Sequence, residues 1–206
     1  VVQADRIKIA VIVEGDGEVS ALRTLLQRVW TEIVGGEHAD ILRPILMPRG
    51  SLLKGTDRTL ANAIELGVEK LSDHGGGLLL ILLDAEDDCA PGRALGPEIL
   101  KRATDVRPDA DIACVIANVM YETWFVAAAD SLRKYLALPP ADELPSDPEG
   151  SRLGKSWIKR HSITGKYTPP ADQPRMTAAM DLRLCRSRSG SFDKLCRELS
   201  KRRSPA

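Results

Sequence analysis

Two groups of carboxylates in this chain stand where apolar runs stop. The run Ile7-Lys8-Ile9-Ala10-Val11-Ile12-Val13 ends in Glu14-Gly15-Asp16-Gly17-Glu18, and Leu78-Leu79-Leu80-Ile81-Leu82-Leu83 ends in Asp84-Ala85-Glu86-Asp87-Asp88. Carboxylates that converge on one point repel one another unless a cation lies between them, and hard oxygen donors suit Mg²⁺ or Mn²⁺. Asp84, Glu86 and Asp88 are spaced by two, so an extended segment puts all three on one side and turns Asp87 toward water. Gly15 and Gly17 permit a tight strand-to-helix turn that points a side chain into a crevice, with free backbone N–H groups nearby. A dinucleotide site is not expected, because the turn is not G-x-G-x-x-G and its carboxylates would repel a pyrophosphate. Glu18 has a plainer use too, as a helix-start carboxylate favoured by the macrodipole, but that role leaves Glu14 unexplained. The chemistry expected of these residues is a divalent-metal site.

Such a site needs elements to hold it. Short aliphatic runs bounded by Gly and acidic residues read as buried parallel strands, and ligands of open α/β sheets collect at the carboxyl ends of such strands. After the first strand, Val19, Leu22, Leu25, Leu26, Val29 and Ile33 recur at helical spacing, which predicts a helix from Glu18 to about Val34, ended by Gly35-Gly36. A second strand is expected over 41–47, a loop at Pro48-Arg49-Gly50-Ser51, and a helix from about Asp57 to Leu71. The third strand follows Gly75-Gly76-Gly77, Pro97 starts a helix through Ala103, 111–119 reads as a fourth strand, and a helix runs from about Glu122 to Leu138. Strands alternating with helices predict an α/β layered domain over residues 1–138, with a mainly parallel four-stranded sheet flanked by helices. A linker of turn residues, 139–152, leads to a basic helical extension, 153–206, with helices expected near 153–160, 176–186 and 192–202. Gly165-Lys166-Tyr167-Thr168-Pro169-Pro170 is expected outside regular helix. The extension is too small to fold alone and should pack on the sheet domain.

Bulk properties narrow the function. The chain has 206 residues, 43% hydrophobic and only 4% aromatic, so aliphatic packing should build the core. No apolar run approaches the roughly 20 residues of a membrane span, and no signal-peptide pattern is read, so a cytoplasmic protein away from membranes is expected. The chain opens on Val1 rather than methionine, which points to a trimmed or renumbered start. Cys89, Cys114, Cys185 and Cys196 lack metal-ligand spacing and read as free thiols. The balanced total charge hides an asymmetry. Residues 1–150 hold 25 acidic and 15 basic side chains, a net of −10, whereas 151–206 hold 4 acidic and 14 basic, a net of +10. A basic segment beside an acidic sheet domain could hold a polyanion over a metal site, or else dock on the acidic part of its own fold.

An apolar strand followed by E-G-x-x-D/E, then about seventy residues later an apolar strand with D-x-D-x-D, resembles the TOPRIM domain of topoisomerases, primases and OLD-type nucleases. Glu14 and Glu18 match the first motif; Asp84, Glu86 and Asp88 match the second, with Glu86 in place of Asp. More specifically, the chain resembles small bacterial TOPRIM-like proteins of unknown function, related to the OLD family and often encoded beside AAA-type or ABC-type ATPases. Their Glu-x-Trp-Phe segment corresponds to Glu122-Thr123-Trp124-Phe125, and their lysine-containing helical tail to the stretch from Gly165-Lys166-Tyr167 through Ser191-Phe192. The resemblance implies a TOPRIM or Rossmann-like fold and a Mg²⁺- or Mn²⁺-dependent nuclease acting in defence or repair with an ATPase partner. It implies Asp84 and Glu86 as metal ligands, Glu18 and Asp88 as second-metal or water-mediated ligands, and Glu14 as a ligand or general acid–base. Glu122 joins the metal set as a helix-start carboxylate at the same sheet edge, while Trp124 and Phe125 read as core. Arg49, Lys54 and Lys166 are the candidate phosphate contacts, and DNA is favoured over RNA. Two other readings stand beside this one: a degenerate TOPRIM module that binds nucleic acid or an ATPase, and a Mg²⁺-dependent phosphatase or nucleotide hydrolase with Asp84 as nucleophile. An exposed sheet edge is compatible with a homodimer.

Overall fold

The computed structural model describes residues 6–48, 50, 57–73, 75–85, 94–140, 143–150 and 154–203. The first apolar run forms strand β1 (Arg6–Val13), and helix α1 (Asp16–Arg28) leaves its carboxyl end, continuing as π-helical turns over Val29–Val34. Gly35, in the left-handed region at φ 80°, stops that helix. Strands β2 (His38–Ile41) and β3 (Ile45–Leu46) follow, then helix α2 (Asp57–Ser72), strand β4 (Leu78–Asp84), helix α3 (Leu95–Val106) and strand β5 (Asp111–Ala117). All pairings are parallel, in the order β2-β1-β4-β5, with β3 also on β1. The fold is an α/β layered one with a five-stranded parallel sheet.

Every residue of β4 is buried, as a central strand covered on both faces requires. Alternation divides the core accordingly. Ile9, Val11, Leu80, Leu82 and Val115 face α1 and the C-terminal helices, while Ala10, Ile12, Ile81, Leu83 and Cys114 face α2 and α3. Because β2 lies on one side of β1 and β4 on the other, the strand order reverses between β1 and β4. Their carboxyl ends, where Glu14 and Asp84 stand, therefore border the crevice in which open α/β sheets bind ligands.

The C-terminal half comprises α4 (Glu122–Ala127), a 3₁₀ turn (Ala129–Leu132), α5 (Gly154–His161), α6 (Pro169–Ala179), α7 (Leu182–Arg188) and α8 (Gly190–Ser200). Trp157, Met176, Phe192 and Leu199 belong to the same buried cluster as β1 and β4. Trp124 and Phe125 are fully buried core residues. Cys114, Cys185 and Cys196 are buried free thiols.

Four elements differ from expectation. The strand expected over 41–47 is split into two short pieces, with Pro44, which has no N–H for a ladder, between them. The helix expected to reach Leu138 stops at Ala127; a 3₁₀ turn follows, and the backbone of Tyr135 to Ala137 then pairs with 161–163: Ile163 N donates to Tyr135 O at 3.0 Å, and Ala137 N to His161 O at 2.7 Å. The helix expected over 176–186 is broken at Met180, and Asp181 caps α7 by accepting from Arg183 N and Leu184 N. Pro169 and Pro170 open α6 rather than lying outside helix, since a first-turn N–H has no intrahelical partner to lose.

Candidate functional site

Four carboxylates from three strand ends meet at the carboxyl edge of the sheet. Glu14 follows β1, Glu18 lies one turn into α1, Asp84 ends β4, and Glu122 opens α4 after β5. Glu18 is 7% exposed, Asp84 6% and Glu122 0%. Their positions are held by specific hydrogen bonds. Asp84 N donates to Glu14 Oε1 at 2.9 Å, which ties the ends of β1 and β4 together. Tyr121 N donates to Asp84 Oδ1 at 2.8 Å, which ties β4 to the entrance of α4. Tyr167 Oη and Gln173 Nε2 each donate to Glu122 Oε1 at 2.9 Å. Val119, just upstream of Tyr121 and Glu122, takes φ 62°, a conformation costly for a β-branched residue.

The glycines of the first motif act through space. A Cβ on Gly15 would lie 2.3 Å from Glu18 Oε2, and a Cβ on Gly17 would lie 2.1 Å from Gln173 Oε1. Gly15 thus makes room for the Glu18 carboxylate to fold back over the turn. Gly17 makes room for the side chain that grips Glu122.

Burial, together with the charges of Glu18, Glu122 and Glu14, pushes the Asp84 carboxyl well above the ordinary range, against a smaller opposing effect of Lys155. Burial, Glu122 and Glu14 likewise raise Glu18, again opposed by Lys155. The Tyr167 hydroxyl is also pushed up, by burial and by its bond to Glu122, and so remains a donor. Glu18 Oε2, Glu122 Oε2 and Gln173 Oε1 are buried without a hydrogen-bond partner. Such atoms are costly unless something absent from the polypeptide satisfies them.

All four carboxylates are hard oxygen donors, and their repulsion and orphaned oxygens are what a divalent cation would relieve. No three carboxylate, His or Cys side chains form a finished ligand set among the described residues. Glu86 and Asp88, expected as further ligands, lie outside the described residues, as do Arg49 and Lys54. Lys166 is exposed, immediately before Tyr167. A hollow lined by Arg6, Lys8, His38, Asp40 and Gly75 to Gly77 opens at the opposite end of the strands, away from every carboxylate of the site.

Sequence reasoning did not assign Tyr167, Gln173 or Lys155 to this site. Lys166-Tyr167 was visible as a loop, but a lone polar position on a helix such as Gln173 carries no local signal.

A family model described as a domain of unknown function (DUF4276) matches residues 13–200. The chain belongs to this family. The DUF4276 match runs from the end of β1 to the end of α8, so it includes all four carboxylates and both donors to Glu122. No curated protein and no solved structure matches the chain. No helix among the described residues is long and apolar enough to cross a membrane.

Proposed function

We propose that this protein is a TOPRIM-type metal-dependent nuclease that hydrolyses phosphodiesters of nucleic acid, DNA in preference to RNA. The observation that carries the reading is the gathering of the buried Glu18, Asp84 and Glu122 with the half-buried Glu14, carboxylates that repel one another, at the crevice where the strand order reverses. Asp84, Glu18 and Glu122, with Glu14, would hold Mg²⁺ or Mn²⁺, joined by Glu86 and Asp88 of the second motif. Such a cation would neutralise phosphodiester charge and make a water more acidic. The chain's own contribution is positional. Tyr121 N–H fixes one oxygen of Asp84, and Tyr167 with Gln173 fixes one oxygen of Glu122, leaving Glu122 Oε2 for a ligand. Glu14, which accepts from the backbone N–H of Asp84, would take or return a proton at the phosphate.

A second reading is a module that binds nucleic acid or an ATPase partner without cleaving. It is favoured by Glu86, which stands where the second motif has Asp. Incubation with supercoiled plasmid and Mg²⁺ or Mn²⁺ separates the two. Nicking by the wild type that is lost in chelator and falls by about a hundredfold or more in Asp84→Asn and Glu14→Gln supports the nuclease. Retention of DNA without nicking, with or without metal, supports the binding module. Nicking unchanged in both variants overturns the assignment of the site.

A further inference from the structure

The basic excess of the C-terminal part divides into two populations. Toward the chain end most of the cations are engaged by the fold itself. Arg186 and Arg197 pair with Asp193 at 2.8 and 2.9 Å, Lys201 with Glu198 at 2.8 Å, and Arg202 with Asp111 at 2.6 Å and Glu198 at 2.8 Å. Arg188 donates to Pro145 O at 2.6 Å and Arg203 to Val34 O at 2.7 Å. Lys155, Lys159, Arg160 and Lys166 behave differently: like Arg175 on α6, all are exposed and form no ion pair among the described residues. From Ser151 to Ala171 the sequence holds no acidic residue at all.

These four cations lie on one strap whose two ends reach the carboxylates. At one end, Gly154 packs so closely on Met120 that a Cβ would lie 2.1 Å from its Sδ, and Lys155 N donates to that sulfur at 3.3 Å. Met120 directly precedes Tyr121 and Glu122. At the other end, Tyr167 donates to Glu122 itself. Between them Trp157 and Ile158 are buried, which turns Lys155, Lys159 and Arg160 to the surface of α5, and Ile163 stands 58% exposed beyond them.

We infer that the strap from Lys155 to Lys166 is the surface that holds a nucleic-acid phosphate backbone across the carboxylate site, and that the basic chain end is not. A backbone laid along the strap meets cations at both flanks of Glu122, so charge complementarity would bring a phosphodiester to the acidic centre. The inference rests on the nuclease reading for its substrate class but is tested without cleavage.

Fluorescence anisotropy of the full chain with a short labelled single-stranded oligodeoxynucleotide and its duplex, in chelator, reads binding alone. The quadruple variant Lys155→Gln, Lys159→Gln, Arg160→Gln, Lys166→Gln should bind about tenfold or more weakly and flatten the log K against log salt slope by about 3. Arg186→Gln with Arg197→Gln should stay within about twofold of the wild type. Replacing the three strap lysines by arginine should restore binding, and a melting curve confirms that each variant folds. Equal binding by the quadruple variant, an equal loss in the chain-end variant, or no binding by the wild type overturns the strap. Strap-dependent binding without nicking in Mg²⁺ or Mn²⁺ overturns the nuclease alone, and nicking undiminished by the quadruple variant overturns the strap alone.

Discussion

Gly17→Ala tests whether the C-terminal half closes the site. A Cβ at Gly17 would lie 2.1 Å from Gln173 Oε1, 2.9 Å from Gln173 Cδ and 3.2 Å from Pro169 Cβ. Non-bonded heavy atoms settle near 3.5 Å, so the carboxamide must retreat by about 1 Å or more. That movement strains the 2.9 Å bond from Gln173 Nε2 to Glu122 Oε1. Overpacking costs about 1–3 kcal/mol, and losing a hydrogen bond to a buried polar group costs a similar amount, while Ala gains about 0.5–1 kcal/mol over Gly within a helix. The chain relaxes through one route or the other, so the net expectation is destabilisation of about 1–3 kcal/mol. Urea denaturation in chelator reads it, and a double-mutant cycle isolates its cause. With Gln173→Ala only the 3.2 Å approach to Pro169 Cβ remains, and Gly17→Ala should then be close to neutral, within about 1 kcal/mol. An equal loss in both backgrounds, or a more stable single mutant, would refute the placement of Gln173 over the turn.

Two further outcomes follow from the same geometry. Because Asp84 and Glu18 are raised above the ordinary range, the folded state binds more protons than the unfolded one between about pH 4 and their raised values, and stability falls as pH rises through that window. In chelator, Asp84→Asn, which keeps an Oδ1 acceptor for Tyr121 N–H, should therefore melt higher than wild type near pH 8 and show a flatter pH profile, with Mg²⁺ narrowing the gap; a variant that melts lower at every pH would contradict the repulsion. Tyr167→Phe removes one of the two donors to Glu122 Oε1 and should cost about 1–2 kcal/mol by urea denaturation, much of it recovered on adding Glu122→Gln; a change below about 0.3 kcal/mol would show that the bond contributes nothing.

The core strands were legible because burial on both faces demands continuous aliphatic runs, and β1, β4 and β5 are such runs. The helix after Glu122 was overestimated for the opposite reason: its local pattern is helical, but a 3₁₀ turn follows Ala127 and Tyr135 to Ala137 then pair with the segment beyond α5. Glu14 and Asp84 were likewise legible as sheet-edge carboxylates, since a Glu or Asp at the end of a buried strand has few structural uses, whereas Glu18 and Glu122 also fit a helix start. Their surroundings were not. Glu122 is gripped by residues 45 and 51 positions further along the chain, and nothing in a helix pattern says that one polar side chain will reach a distant carboxylate.

The sequence by itself determined which residues could carry negative charge to the sheet edge, because strand and helix periodicities are local and the acidic positions follow directly from them. Only the tertiary structure decided how Gly17 makes room for Gln173, and which cations of the basic half are paired with their own fold and which are left facing outward. Those outcomes depend on contacts between residues far apart in the chain, whose energies are settled only when the two halves pack together.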